Sequence, residues 1–582
     1  GLKPLGNVVA NPPMRRDAIR FTCMTDLGYF DPAEIPETDF TPILDNWTQA
    51  GVWTPMVGAS VPLARTESLT VCDPATGIET ETVTSSSGPT VIRRSLHGVL
   101  LSTETAGETT FNSYDAFARV AQTWRAAVSA ATGTGVSPVG GSGVSPLQSY
   151  DYAPIGDLLA THTFTNATDY TTETNAYDML GNRIATTDAL GNTVNKSYDP
   201  LGHVVAEWGA TYPVLYTYDT QGRRTSLSTA RDGTTWDTTS WTYDPFTGNC
   251  LSKTYADGST VTYTYTPDNL LLRTTYASGK WKENVYDAQR RLSGVVYFSR
   301  NMDYELQLDT YGNATNVQDA AGNVWRYDYG FNSKVFAEEY ANTGGTRSCA
   351  SATTNGISRS YDSFDRPSGF AFLVNEEPKG GIGYAYDSDG DLTRITVTNS
   401  AGRSFSVAYT NNAGYSCGYT ITTLNGDTIR RVVDRDECRR SLVTNCATYF
   451  NSSLVDSNLY AFDALSRPTA RTTGATGVSP IDSTFAYNSR SEVVSAAIGT
   501  NFFAHAYDDI GNHLLFGDNA VTNTYTHNSL NQITTSHRPP ASPRTIHHNA
   551  DGGLSSDGIW TYAYDAEDQL TSVTSRSLTN GA

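Results

Sequence analysis

The sequence is short of charge, of cysteine and of long apolar runs. Only 17% of its 582 residues are charged, and 40 Lys and Arg face 60 Asp and Glu, for a formal net charge of −20. A surface so poor in cations repels phosphate backbones and anionic headgroups, which disfavours nucleic acid and anionic membranes as partners. No apolar run is long enough for a membrane-spanning helix, so no transmembrane segment is expected. The seven cysteines (Cys23, Cys72, Cys250, Cys349, Cys417, Cys438 and Cys446) include no C-x-x-C pair and no neighbouring His set, which argues against zinc. Their odd number leaves a free thiol or a partner elsewhere. Cys438 with Cys446 could bridge a hairpin, and Cys349 with Cys417 could pin an insertion. The chain lacks G-x-S-x-G, H-E-x-x-H and any phosphate-cradling glycine loop, so no cofactor is expected.

What the chain does have is tyrosine and glycine, 35 and 49 residues respectively. They fall into a punctuation mark that recurs about every twenty residues: Tyr177-Asp178-Met-Leu-Gly181, Tyr198-Asp199-Pro-Leu-Gly202 and Tyr218-Asp219-Thr-Gln-Gly222. Looser copies stand at Tyr243-Asp244, Tyr286-Asp287, Tyr361-Asp362, Tyr386-Asp387, Tyr507-Asp508-Asp-Ile-Gly511 and Tyr564-Asp565. A second turn signal, such as Asp188-Ala-Leu-Gly191, lies midway between marks. Asp can bond its own backbone two residues on, and Gly supplies the positive φ that closes a hairpin. Between turns the side chains alternate: Val261, Tyr263 and Tyr265 share one face, Thr262 and Thr264 the other. Each unit is therefore predicted to be a β-hairpin, stacked on its neighbours in a repeat architecture. The best helical signal is Tyr114 to Ala131, where Phe117, Val120 and Trp124 recur at helical spacing; Tyr114-Asp115 is also a degenerate repeat mark.

The motif Tyr-Asp-x-x-Gly-(Asn/Arg) at this period resembles the YD-repeat, or Rhs (rearrangement hotspot), family. Tyr177-Asp-Met-Leu-Gly-Asn-Arg-Ile184 and Tyr507-Asp-Asp-Ile-Gly-Asn-His-Leu514 carry the resemblance most fully, and it runs from about Val71 to the end of the chain. It implies an all-β fold, a long spiralling sheet of hairpins forming a hollow shell, as in bacterial polymorphic toxins, insecticidal toxin-complex shells and teneurin-type receptors. It further implies a secreted or cell-surface protein. Its partners would be an enclosed C-terminal effector, or separate chains of a longer assembly. Asp199-Pro-Leu-Gly202 has the letters of the family's self-cleaving aspartyl motif but sits inside an ordinary repeat, so no protease is expected there. The chain begins at Gly1 and closes in repeat-like sequence, which reads as a fragment of something longer.

Four stretches break the rhythm. Residues 1–65 are an irregular segment, a cap, plug or degenerate repeats; 66–131 hold degenerate repeats; 132–148 form a Gly/Ser/Pro linker or loop. Repeats occupy 149–582, with insertions near 340–357 and 411–458. Asp387, Asp389 and Asp391 could offer oxygens to Ca²⁺, but the bidentate Glu of a calcium loop is missing and a repeat turn rich in Asp accounts for them better. His547-His548, with His537 and Asp551, reads as a surface loop. Glu376-Glu377 and Asp434-Arg-Asp436-Glu437 carry carboxylates with nothing to fix the separation a glycosidase needs. The functional expectation is a non-enzymatic shell that encloses or presents a toxin. The alternative is an adhesin that binds glycan or a cell-surface protein through aromatics such as Tyr415 and Tyr419. In both readings Tyr177, Asp178, Gly181, Tyr198, Asp199, Gly202, Tyr218, Asp219, Gly222, Tyr507, Asp508 and Gly511 are structural turn residues.

Overall fold

A computed structural model describes residues 67–575, apart from 74–77, 86–87, 96–97, 106–107, 128–143, 299–301, 320–323, 331–332, 342–354, 375–376, 388–389, 413–414, 424, 437–438, 440 and 566–567. The irregular segment 1–65, most of the linker, and Cys23, Cys349, Cys438, Glu376, Asp389 and Glu437 fall outside the described residues. The described residues form 45 strands and no helix, so none crosses a membrane as a helix. The fold is all-β, a repeat of antiparallel hairpins.

The local reason is the alternation. In Thr260–Tyr265, Val261 is buried and Thr262 and Thr264 are exposed, while Tyr263 and Tyr265 are half-buried. In Val214–Tyr218, Leu215 and Thr217 face outward and Tyr216 and Tyr218 inward. Buried apolar side chains are few and small among the described residues: Ala160, Ala230, Val261, Val295, Ala447 and Ala496 are the main ones. Stability therefore rests on each strand's neighbours more than on a thick core.

Each hairpin closed by a Tyr-Asp mark contains a bulge. Tyr198 pairs with Val204 and Ser197 with Ala206, so Val205 is extra; Tyr218 pairs with Arg224 and Thr217 with Ser226, so Thr225 is extra. A left-handed turn residue followed by one bulged residue is a favoured hairpin closure, and it adds local twist.

Over its described residues, Tyr114 to Ala127, the stretch predicted as a helix is not one. Glu108–Tyr114 and Val120–Ala127 are antiparallel strands, with Phe111 opposite Trp124. The turn between them holds Ala118 at φ 59°, a conformation no right-handed helix contains, and Asp115 Oδ1 accepts the N–H groups of Phe117 and Arg119. The helical spacing of the aromatics lost to the turn chemistry.

The chain divides into two compact units, residues 1–145, 308–315 and 325–427, and residues 146–307, 316–324 and 428–582. In the first unit, hairpins run from Glu67–Asp73 to Val120–Ala127 and from Val335–Ala341 to Tyr415–Thr422, each strand pairing with the next. In the second unit, one run extends from Leu158–Phe164 to Leu292–Tyr297 and another begins at Thr428–Arg435. Its last strands, from His547–His548 to Leu570–Ser575, form a separate small sheet.

Candidate functional site: the Tyr-Asp turn and the edge it builds

The turn at Tyr177–Arg183 shows how the motif works. The Asp178 N–H donates to the Asn182 carbonyl at 2.9 Å, and the Gly181 N–H donates to the Asp178 carbonyl at 3.2 Å. Asp178 Oδ1 accepts the N–H groups of Leu180 and Asn182, both at 2.9 Å, and the Asn182 side-chain amide donates to Oδ2 at 2.9 Å. One carboxylate thus satisfies three donors of a turn that has no strand partner for them. The Asn182 side chain, then its backbone N–H, hold the Asp178 carboxyl below its usual range. Gly181 sits at φ 81°, Gly202 at 86°, Gly222 at 76° and Gly511 at 85°.

The tyrosine reaches backward. Tyr177 donates its hydroxyl to the Leu158 carbonyl, Tyr198 to Arg183 and Tyr218 to Val204, at 3.0, 2.8 and 2.8 Å. Tyr243, Tyr265 and Tyr286 repeat the bond to the carbonyls of Arg224, Cys250 and Leu271. The accepting carbonyl belongs to the first strand residue after the preceding Tyr-Asp turn, so each mark ties its hairpin to the one before. Burial pushes the Tyr243 and Tyr265 phenols up, which keeps them protonated as donors.

The residue after the glycine reaches forward. Arg223 Nε donates to Asp219 Oδ2 at 2.7 Å, Nη1 donates to the Asp244 carbonyl of the next mark at 3.1 Å, and the guanidinium lies 4.7 Å over the Tyr243 ring. His203 does the same work with other atoms: Nδ1 is 2.9 Å from Asp199 Oδ2, and the ring stacks on Tyr218 at 4.8 Å. Arg366 and Arg467 repeat the Arg223 arrangement beneath Tyr386 and Tyr487. The sequence motif includes this position as Asn or Arg but gives it no role. Its signal is the Asn, His or Arg that follows Gly181, Gly202, Gly222 and Gly511.

Within the second unit the two runs meet edge to edge. The return turns of the first run, those without a Tyr-Asp mark, lie on the Tyr-Asp turns of the second. Tyr212 donates to Glu492 Oε1 at 3.3 Å, and its hydroxyl is so close to Gly511 that a Cβ there would come within 2.5 Å of it. The Asp509 N–H donates to the Arg231 carbonyl at 3.0 Å, and Arg231 Nη1 donates to the His527 carbonyl at 3.3 Å. Further along, the Ser278 N–H donates to Asp551 Oδ1 at 3.0 Å and Lys280 Nζ to the Asp565 carbonyl at 2.9 Å. Arg231 also forms an ion pair with Asp237, whose side chain is only 9% exposed.

Comparison with known proteins bears on this geometry in three ways. The family model described as RHS Repeat matches residues 247–280, which hold one full hairpin and the start of the next. Residues 247–280 therefore carry an RHS repeat. No curated protein matches this chain. Among solved structures, TcdB2–TccC3 with Cdc42 is similar at a TM-score of 0.55 and 14% identity, over 85% of this chain and 29% of that one. TcdB2–TccC3 without its hypervariable C-terminal region is similar at a TM-score of 0.55 and 14% identity, over 93% of this chain and 31% of that one. This chain thus spans about a third of the length of these chains and shares their fold.

The remaining candidates fall at ordinary places in the YD repeats. Asp387 and Asp391 are the two ends of one turn, the Asp391 N–H donating to Asp387 Oδ1 at 2.8 Å. Asp199-Pro-Leu-Gly202 is likewise a turn, closed by a 3.0 Å bond from the Gly202 N–H to the Asp199 carbonyl. Residues 411–458 carry strands Tyr415–Thr422, Thr428–Arg435 and Val443–Phe450. Tyr415 and Tyr419 are half-buried there, and Tyr419 meets the Tyr409 ring edge-on at 6.2 Å. Asp434 accepts from the Asn445 amide, and Asp436 pairs with Arg439. His547 and His548 lie on a two-residue strand, successive residues of which point to opposite faces. Cys72, Cys250, Cys417 and Cys446 are free thiols.

Proposed function

We propose that this chain is a wall segment of a secreted shell that encloses a toxin or effector polypeptide, and that its work is mechanical rather than catalytic. The observation that carries the reading is the edge-to-edge seam of the second unit. There, turns that ordinarily face solvent are capped by Tyr212, Arg231 and Lys280 from residues nearly 300 positions away. Joining hairpin runs in this way covers their turn tips and seals the sheet laterally. The turn tyrosines, aspartates and glycines named above serve as the hinges and ties of that wall. The shared fold with TcdB2–TccC3, one structure of which lacks a hypervariable C-terminal region, supports the same reading.

The test is protease protection of the native polypeptide. A non-repeat segment should survive protease until urea opens the wall, and mass spectrometry should identify it as a continuation or companion of this chain. Absence of any protected non-repeat polypeptide would refute enclosure. Glycan-array binding lost in Tyr415→Ala or Tyr419→Ala would then favour adhesion.

A further inference from the structure

Three successive strands, Val144–Tyr152, Leu158–Phe164 and Tyr170–Tyr177, join an aspartate, a histidine and a threonine in one chain of hydrogen bonds. The register sets Ser149, His162 and Thr172 in a row across the strands, with Ala160 opposite Asp151. Asp151 lies two residues along from Ser149, so its side chain shares that face and meets His162 diagonally. His162 Nε2 is 3.0 Å from Asp151 Oδ2, and Nδ1 is 2.9 Å from Thr172 Oγ1. The Tyr170 ring meets the imidazole edge-on at 4.8 Å, and only 17% of the His162 side chain is exposed. The ring is thus held from three sides.

The chemistry of the two ends fixes the protons. A carboxylate only accepts, so in the neutral imidazole Nε2 carries the hydrogen and Nδ1 presents its lone pair. Thr172 then donates its O–H to Nδ1. Elsewhere in the sheet, cross-strand hydroxyls such as Thr217 with Ser226 and Thr242 with Ser252 bond each other directly. Here a base stands between, and an acid holds that base in the right tautomer. That is the arrangement that activates an oxygen nucleophile, with the two ring nitrogens in exchanged roles. Beside it Phe164 and Tyr170 stand opposite each other on the same face, their rings 5.5 Å apart and Tyr170 53% exposed. They place an apolar wall next to the hydroxyl.

We propose that Thr172 is an acyl-accepting nucleophile, with His162 as its general base and Asp151 as the positioning residue. The Thr172 oxygen attacks the carbonyl carbon of an ester or thioester. His162 Nδ1 takes the hydroxyl proton and returns it to the leaving alkoxide or thiolate, which leaves acyl-Thr172 and a free alcohol or thiol. Water, giving its proton to the same nitrogen, then releases the acid and restores Thr172. The hydroxyl stands on a paired strand rather than at a helix N-terminus or tight turn, so the oxyanion is left to water. The substrates in reach are therefore acyl donors with a good leaving group and an apolar part for the aromatic wall, namely aryl esters and acyl thioesters. The inference rests on these residues and not on what a shell encloses.

The test exposes the whole chain to p-nitrophenyl butyrate and maps acylated peptides by mass spectrometry after an acid quench. The expected result is a butyryl group on Thr172, with an early release of about one equivalent of nitrophenolate per chain. Thr172→Val should abolish that label. His162→Gln should slow acylation of Thr172 by about 100-fold, as for a lost general base. Asp151→Asn should slow it by about tenfold, a modest loss because this carboxylate is 66% exposed, and Asp151→Glu should recover part of it. Circular dichroism and melting temperature confirm that each variant folds. If the three residues only pin strands together, the substitutions shift the melting temperature and Thr172 stays unacylated, which overturns the proposal. So do acyl groups found only on cysteine, lysine or tyrosine peptides, or an unchanged rate at Thr172 in His162→Gln or Asp151→Asn.

Discussion

Gly202 and Gly222 occupy the same place in successive turns, at φ 86° and 76°, yet their surroundings differ. A Cβ at Gly202 would meet only Asn182 Oδ1, at 3.8 Å, whereas one at Gly222 would sit 3.0 Å from His203 Nε2. Backbone strain is common to both, so Gly202→Val and Gly222→Val should each lower stability by about 1–3 kcal/mol, the second by more than the first. The converse substitution should help. Ala118 holds the same left-handed position with a side chain, so Ala118→Gly should raise stability by about 1 kcal/mol. Urea unfolding midpoints check all three, and equal stability of both valine variants with the wild type would remove the strain argument. Non-glycine residues at this position, Arg290, Asp365, Ser466 and Asn531 among them, also take φ between 63° and 66°. The conformation is imposed by the Asp carboxylate, or the Asn amide at Asn528, and by the bulge, with Gly only the least strained residue to adopt it.

At the scale of the element, two kinds of titrating group act in different pH windows. The turn carboxyls of Asp178, Asp199 and Asp244 are all held below their usual range, by the Asn182 amide, by the His203 ring and by the Thr247 N–H respectively. An unfolded carboxyl titrates near pH 4. Their stabilisation is therefore full above about pH 4 and lost as pH falls through the lower folded values. The strands Asn501–Tyr507, His513–Asp518 and Val521–His527 add a step at milder acidity. His513 Nε2 lies 3.1 Å from His505 Nδ1, and its ring stacks on Tyr525 at 5.4 Å. Burial, then the neighbouring His505 and His527, push the His513 pKa down, and burial does the same to His527. The unfolded histidines bind protons that the folded ones do not, so stability falls as pH drops below about 6.5. The melting temperature should decline from pH 7 to 5 in the wild type, and more shallowly in His513→Phe, which keeps the ring stack without the proton. An identical slope in the two proteins would mean that this histidine does not set it.

For the whole molecule the informative residue is Arg231. It joins one run to the other through the His527 carbonyl and neutralises the nearly buried Asp237. Arg231→Ala leaves that carboxylate unpaired, a change that costs about 3–5 kcal/mol when an ion pair is broken from one side. Hydrogen exchange should quicken both around residues 227–240 and around 507–531, and Asp237→Asn in the same chain should recover part of the loss. Quickening confined to 227–240 would show that the runs do not hold each other. Sequence alone determined the hairpins, their period and their turns, because the Tyr-Asp-x-x-Gly mark is built from contacts within about five residues and its tyrosine ties to the adjacent hairpin. It misread Tyr114 to Ala131, where apolar spacing suited a helix and only the Asp115 turn argued for a hairpin. The meeting of Tyr212 with Glu492 and of Arg231 with His527, 280 and 296 residues apart, was decided by tertiary structure alone. Which turn tips face each other depends on small twists summed over many strand pairs, and no local pattern records that sum.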